Sequence, residues 1–374
     1  MKFLIVTQVE HTQKDNDFFA YSPYVNEMNI WLRQVESVTI IAPLKKGEVA
    51  LLEQKYNSNS INFIEVPKFS FINFKESARA IGVLPIILWK LFRVMFSAQH
   101  IHLRCPGNMG LLGSIVQFFF PFKAKSAKYA GNWDLKAKQP LSYKFQKYIL
   151  RNTFLTRNIK VLVYGDWKNQ TKNIKSFFTA TYSEEEIVDL QSKSLEGKLK
   201  FIFVGTLAKG KQPLLTIKLF EEIQNIYPNI ELCIYGDGLE RLALETYITN
   251  KSLQSSVFIK GNQDRESLKE IYQNSHFLIL PSKSEGWPKV VAEAMFWGCL
   301  PIASSVSCVP SMLDYGKRGI VLEENFEQNI QMIQELIENP KEYEKRRNEA
   351  LQWARIYTLE KFEKEIVKIL KPCE

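Results

Sequence analysis

Acidic residues are nearly absent from one long stretch of this chain. Residues 101–180 hold 14 Lys and Arg, with only Asp134 and Asp166 on the acidic side. Residues 1–180 carry 25 basic against 11 acidic residues (+14) and the remainder 24 against 29 (−5), which gives the net +9. A field that lopsided either attracts an anionic surface or substrate or marks a solvated basic face with no partner. No nucleic-acid-binding motif accompanies it. Cysteine is sparse as well: Cys105, Cys233, Cys299, Cys308 and Cys373 are odd in number, scattered, and form no CxxC pair. That excludes a disulfide framework or a zinc site of familiar spacing, and reads as reduced thiols in a cytoplasmic protein.

Long uninterrupted apolar runs are also missing. IGVLPIILWKLFRVMF, from Ile81, is broken by Pro85, Lys90 and Arg93, and LLGSIVQFFFPF, from Leu111, ends after twelve residues. Neither is expected to reach the roughly 18–20 residues that span a bilayer, so no integral segment is predicted. The opening MKFLIVTQVEHT is too short in its apolar part, and lacks the small-residue cleavage site, for a signal peptide; it reads as a first strand. No internal repeat or low-complexity tract interrupts the chain. What is present is a globular composition, 45% hydrophobic and 24% charged, over 374 residues, enough for two domains with separate cores.

The second half alternates short β-branched runs with longer amphipathic ones. Strands are expected at 199–205, 230–236, 256–261, 276–281 and 300–304, with helical stretches between them beginning at Pro213, Leu239, Arg265 and Pro288. Such alternation implies βαβ units and a parallel sheet with helices on both faces. The first half repeats the rhythm through KFLIVTQ, SVTIIAP, INFIEVP, HIHLR, SAKYAG and KVLVYGD. Tyr143 to Lys160 is read as a basic helix, and the polar segment Tyr182 to Lys200 as a connector. The expected division is 1–181 and 182–357, with a terminal helix over about 358–374 packing back on the first domain.

One stretch stands out chemically. SEGWPKVVAEAMFWGCLP, Ser284 to Pro301, sets two acids, Glu285 and Glu293, eight residues apart, the second inside an apolar helix. Pro288 suits the first helical position and Gly298 the residue just past the end. Glu285 then lies in the loop at the carboxyl end of a strand, beside a helix N-terminus, where open α/β sheets bind ligands and where N–H groups suit anions. Purely structural explanations stand beside this: an acid near a helix start for Glu285, a salt bridge to Lys289 for Glu293.

The run E-G-W-P-K-V-V-A-E-A-M-x-x-G-x-x-P-I-A-S resembles the E-x7-E signature of retaining GT-B glycosyltransferases of the group 1 (family 4) type, and the likeness extends over roughly residues 198–330. It implies an α/β chain of the GT-B fold, two Rossmann-like doubly wound domains facing each other across a cleft. The C-terminal one would bind a nucleoside diphosphate sugar, UDP- or GDP-linked, and the N-terminal one an acceptor. No metal and no cofactor beyond the donor substrate is implied. Glu285 would take donor-sugar hydroxyls, with the backbone of Gly286, Trp287, Pro288 and Lys289 nearby. Glu293 would take the ribose diol, since a carboxylate offers two acceptor oxygens to two hydroxyl donors. GTLAKGKQP resembles the family's G-R-L-x-x-x-K-G diphosphate element over Gly205, Thr206, Lys209 and Lys211. Lys211 falls on the motif's lysine, Thr206 stands where arginine is usual, and Lys209 is a replacement cation; two surface lysines on a loop is the alternative. The backbone at Lys260 and Gly261 would lie beside the base, near a YGDGL turn at 235–239.

The first half resembles the family less. The segment after the first strand lacks a Gly-rich loop; His11, Asp15, Asp17 and Tyr21 are acceptor contacts or loop filler. Arg104 and Asn108, in IHLRCPGNMG, point into the cleft or belong to a structural turn. The expected reaction is sugar transfer to an acceptor hydroxyl with retained configuration, the acceptor a saccharide or lipid-linked saccharide of surface polysaccharide assembly. The basic region and QFFFPFKAKSAK suit peripheral contact with an anionic membrane at the inner face of the plasma membrane. Rival readings are a nucleotide-sugar epimerase of the same fold and a non-enzymatic polyanion binder.

Overall fold

A computed structural model describes residues 1–50, 52–58, 60–69 and 74–371, the side chains of 74–79 excepted. Cys373 and the last residues of the expected terminal helix lie outside the described residues. The chain divides into two compact units, one of residues 1–177 with 362–374, the other of 178–361.

The first unit contains β1 (Lys2–Val6), β2 (His11–Lys14), β3 (Asp17–Tyr21), α1 (Ser22–Leu32), β4 (Ser37–Lys45), β5 (Glu53–Lys55), β6 (Ile61–Val66), α2 (Phe74–Ser97), β7 (His100–Cys105), α3 (Asn108–Val116), β8 (Ala124–Tyr129), α4 (Leu141–Arg151), β9 (Ile159–Tyr164) and β10 (Ile174–Phe177). Strands β6-β4-β1-β7-β8-β9-β10 form a parallel sheet. Strands β1 and β9 are near-continuous apolar runs, as burial on both faces favours, whereas β7 and β8 carry buried polar residues, among them His100, His102, Lys125 and Lys128. The segment expected as a loop after β1 is instead the antiparallel hairpin β2–β3, which continues the sheet beside β4. His11 is buried there, its ring against Val9 O and the Tyr56 hydroxyl at 2.8 and 2.7 Å, so it builds the fold. Asp17 pairs with Lys55 at 2.6 Å.

Two further sequence expectations are corrected in this unit. The basic helix stops at Arg151, because Asn152 turns extended and its side-chain oxygen accepts from the N–H groups of Phe154 and Leu155. Helix α2 runs unbroken through Pro85, and its Ala80–Ser97 window is long and apolar enough to cross a membrane by length and composition. Yet its inner residues Ile87, Leu91, Val94 and Met95 are buried in the core against the sheet. Pro85 is tolerated on the outer, exposed side.

The second unit contains β11 (Leu199–Val204), α5 (Pro213–Ile226), β12 (Ile230–Tyr235), α6 (Arg241–Asn250), β13 (Val257–Gly261), α7 (Arg265–Asn274), β14 (Phe277–Leu280), α8 (Lys289–Phe296), β15 (Leu300–Ser304), α9 (Val309–Met312), β16 (Ile320–Leu322), α10 (Phe326–Ile337) and α11 (Pro340–Ala354). The sheet is parallel in the order β13-β12-β11-β14-β15-β16. Strand β16, three residues long, was too short to stand out in the sequence. The segment 182–198 is not a free connector. Lys193 reaches Tyr272 O and Ser275 O, Arg347 holds Gln191 O at 2.8 Å, and Arg355 holds Val188 O at 2.7 Å. Helix α12 (Leu359–Leu370) passes the division, and its residues from Phe362 count with the first unit.

Candidate active site

The order of the second sheet locates a site. The chain leaves β11 toward β12 and β13 on one side, then returns to place β14 on the other, so β11 and β14 flank the topological switch point. Ligands of open α/β sheets bind outside the carboxyl ends of strands at such a point. The two motifs singled out above follow these two strands. Their loops are joined directly: Lys283 N–H donates to Gly210 O at 2.9 Å, and Lys211 Nζ pairs with Glu285 Oε1 at 2.5 Å. Glu285 is 8% exposed and the Lys211 side chain 32%, so this cation and carboxylate sit at the mouth of a buried floor.

The loop after β12 is drawn in as a third wall. Leu207 N–H donates to Asp237 O, and Glu240 N–H to Leu207 O. The approach is too close for side chains at Gly236 or Gly238. Both have positive φ, +149 and +156, and a Cβ would overlap Gly205 O and Leu207 O respectively. Gly236 N–H also bonds Gly261 O at 2.9 Å, which ties in the end of β13. The YGDGL turn is thus a backbone splice between loops. Lys260 is exposed beside it, over the Phe258 ring, and Lys209 and Thr206 are exposed on the loop after β11.

Helix α8 carries Glu293. Pro288 caps the helix rather than entering it, with extended backbone and its carbonyl accepting from Val291. Gly298, at φ +69, closes the other end, where Gly298 N–H reaches Met295 O and Cys299 N–H reaches Ala294 O. Glu293 is held by hydroxyls. Thr181 Oγ1 donates to Oε1 at 2.7 Å and Tyr272 Oη to Oε2 at 3.2 Å. Among the described residues no ion pair joins it to Lys289, the structural alternative raised by the sequence. Tyr272 is fully buried, and burial followed by the neighbouring carboxylate keeps its phenol well above the usual range, so it remains a donor. Sequence reasoning missed Thr181 and Tyr272, since neither lies in a motif.

The 284–288 loop is braced from behind. Ser307 Oγ and Cys308 Sγ both donate to Gly286 O at 3.1 Å. Burial pushes the Cys308 thiol up to about 12, so it serves as a donor and not as a nucleophile. Trp287 stacks on Trp353 at 6.1 Å. Among the described residues no group of three His, Cys, Asp or Glu side chains converges as a metal site requires.

In the first unit Arg104 and Asn108 are engaged by their own domain. Arg104 pairs with Glu27 at 2.5 Å and lies over the Tyr24 ring at 5.2 Å, its side chain 13% exposed. Lys128 pairs with the other oxygen of Glu27 at 2.8 Å. Asn108 Nδ2 donates to Phe69 O at 3.3 Å. In this structure Arg104 is part of a buried charge cluster, an assignment its place at a strand end could not reveal.

Two doubly wound α/β units of this kind define the GT-B fold. Solved structures superpose along nearly the whole chain: WaaG, a glycosyltransferase involved in lipopolysaccharide biosynthesis, covers 100% of each chain with a TM-score of 0.64 at 14% identity, and Anabaena HepE in complex with UDP covers 99% of each with a TM-score of 0.70 at 12% identity. Residues 184–353 match the family model "Glycosyl transferases group 1". An uncharacterized glycosyltransferase of Haemophilus influenzae is 28% identical over 210 residues, 54% of this chain and 56% of its own. The GalNAc-alpha-(1->4)-GalNAc-alpha-(1->3)-diNAcBac-PP-undecaprenol alpha-1,4-N-acetyl-D-galactosaminyltransferase of Campylobacter jejuni is 30% identical over 135 residues, 36% of each chain. The match thus spans little more than half of the first relative and about a third of the second. The family match covers less than half of this chain, and the superposed structures show its fold.

Proposed function

We propose that the chain moves a glycosyl group from a nucleoside diphosphate sugar to an acceptor hydroxyl with retained anomeric configuration. The observation that carries this reading is the Lys211–Glu285 pair at the switch point, which brings a diphosphate-type cation and a sugar-type carboxylate to one spot. Glu285 takes hydroxyls of the donor sugar, and Glu293, oriented by Thr181 and Tyr272, takes the ribose diol. Lys211 stabilises the charge that grows on the departing diphosphate, with exposed Lys209 as the second cation in place of the residue at Thr206. The backbone of Gly205, of Gly286 to Lys289 and of Lys260–Gly261 shapes the rest of the donor pocket. The transition state is oxocarbenium-like, and attack occurs on the face the leaving phosphate occupies.

The donor is UDP- or GDP-linked, and HepE was solved with UDP. The acceptor is a saccharide, and a lipid-linked one accords with the undecaprenol-linked substrate named for the Campylobacter relative. No resident metal is required, and the enzyme works in the cytoplasm. A thermal-shift panel of UDP-, GDP- and ADP-sugars, with and without EDTA, tests this, because a ligand that binds the native state raises its apparent stability. One class of donor should stabilise the parent. Glu293→Ala should weaken the shift even for the bare nucleotide, and Glu285→Ala should mainly lose the sugar's contribution. Parent-like shifts in both variants would overturn the assignment.

A further inference from the structure

The outer face of α2 and the turn after α3 have no role in the reading above. On α2 the exposed positions recur with helical spacing through Ile81, Ile86, Trp89, Phe92 and Phe96. Only 28% of the Ala80–Ser97 window is buried although its mean hydropathy is 1.7. The 117–122 turn extends the face. Phe119 meets Phe92 with ring centroids 6.1 Å apart, and Phe122 is 91% exposed. Asn158 ties a further turn to it by donating to Phe122 O and Lys123 O, which brings up exposed Phe154 with Arg157 over its ring at 5.0 Å. Such a patch of large rings is uncommon on a surface that only water covers.

Its charge identifies the occupant. Residues 81–165 contain 13 Lys and Arg and one acid, Asp134. Some of these cations are spent inside: Lys125 on carbonyls of the 117–120 turn, Arg104 and Lys128 on Glu27. Arg93, lying over Trp89 at 5.4 Å, and Arg157 remain at the rim of the aromatic face. A second copy of the chain would set this positive face against its own image, whereas an anionic bilayer meets it with the opposite sign. A transmembrane role for α2 is excluded by its buried inner residues, which could not leave the sheet without opening the core.

We propose that this face docks the first unit onto an anionic phospholipid surface, with Trp89, Phe96, Phe119, Phe122 and Phe154 at headgroup depth and Arg93 and Arg157 against lipid phosphates. The inference stands apart from the donor reading, because vesicle binding and nucleotide binding are measured separately.

The test is sedimentation of the full chain with phosphatidylcholine vesicles, alone or containing phosphatidylglycerol. The expected result is binding to the anionic vesicles at low salt that declines as salt screens it. Phe119→Ser with Phe122→Ser should lower that binding about ten-fold or more. Arg93→Gln with Arg157→Gln should lower it about five-fold for each charge removed and abolish the preference for phosphatidylglycerol. These side chains project outward, so circular-dichroism melts should match the parent. Equal binding to both vesicle types, or none, overturns the proposal. So does a dimer in light scattering that the Phe variants dissolve while vesicles bind nothing, since that result assigns the face to a second copy.

Discussion

Lys211 Nζ lies 2.5 Å from Glu285 Oε1, an ion pair between residues 74 positions apart. It joins the loops after two adjacent parallel strands and sets opposite charges at the sheet's switch point. Removing one partner strands the other near the protein floor.

Lys211→Met should therefore lower stability by about 1–3 kcal/mol, and the double variant with Glu285→Gln should recover part of it. Transfer activity should stay down by about a hundred-fold or more in both, because the cation proposed to face the leaving group is gone. Urea titration and initial rates measure the two effects. Parent-like turnover in Lys211→Met would refute the role given to this lysine.

On the proposed reading, Tyr272 and Thr181 act on substrate only through Glu293. Tyr272→Phe removes one donor to the carboxylate and should weaken nucleotide binding several-fold, in line with about 1.5–3 kcal/mol for a hydrogen bond to a charged group, less what water restores. In a Glu293→Ala background the same change should have no further effect on affinity by calorimetry. Additive losses would mean that the tyrosine works by another route.

Gly236→Ala and Gly238→Ala place a methyl group against the backbone of Gly205 and Leu207. Each should destabilise the second unit by about 2–4 kcal/mol through strain and loop displacement. Gly210→Ala, with nothing within 4 Å of its Cβ, is the control and should melt with the parent. Equal melting of all three variants would show that the splice between loops tolerates side chains.

All four histidines are kept neutral by burial. It lowers His11, His100 and His276 to about 4, and His102 well below its ordinary value. For His276 burial is the main cause, aided by the nearby charges of Lys193, Lys200 and Arg347; its Nδ1 accepts from Lys200 N–H, so Nε2 donates to Ser194 O. Depressed folded values mean that the unfolded chain binds the extra protons. The stability they contribute is present above about pH 6.5 and is lost as the pH falls toward 4. Urea midpoints should drop between pH 7 and pH 5. If the two units unfold separately, the first, which holds three of the four histidines, should respond more steeply. A flat profile would contradict the buried neutral rings.

The alternating strands and helices of the second unit were legible because parallel strands buried on both faces must be continuous apolar runs, and the intervening helices must be amphipathic. Pro288 before α8 and the glycine past it were legible for a similar reason, since each meets a local requirement of a helix end, whereas the E-x7-E spacing and the Lys211 loop were legible only through resemblance to a family. The first unit was less so. The hairpin at His11–Tyr21 and the end of α4 at Arg151 depend on one turn and one Asn side chain, which periodicity does not register. The unbroken course of α2 depends on Pro85 falling on its outer side.

By its own pattern the sequence determined the α/β class and the basic, aromatic character of the first half. Only the tertiary structure decided that β14 lies beside β11, which is what brings Glu285 to Lys211. It also decided that Thr181 and Tyr272 hold Glu293, that Arg104 belongs to Glu27, and that the rings of α2 face outward. Those pairings join residues far apart in the chain, and their register is set by packing of the whole domain, so no local window of sequence contains it.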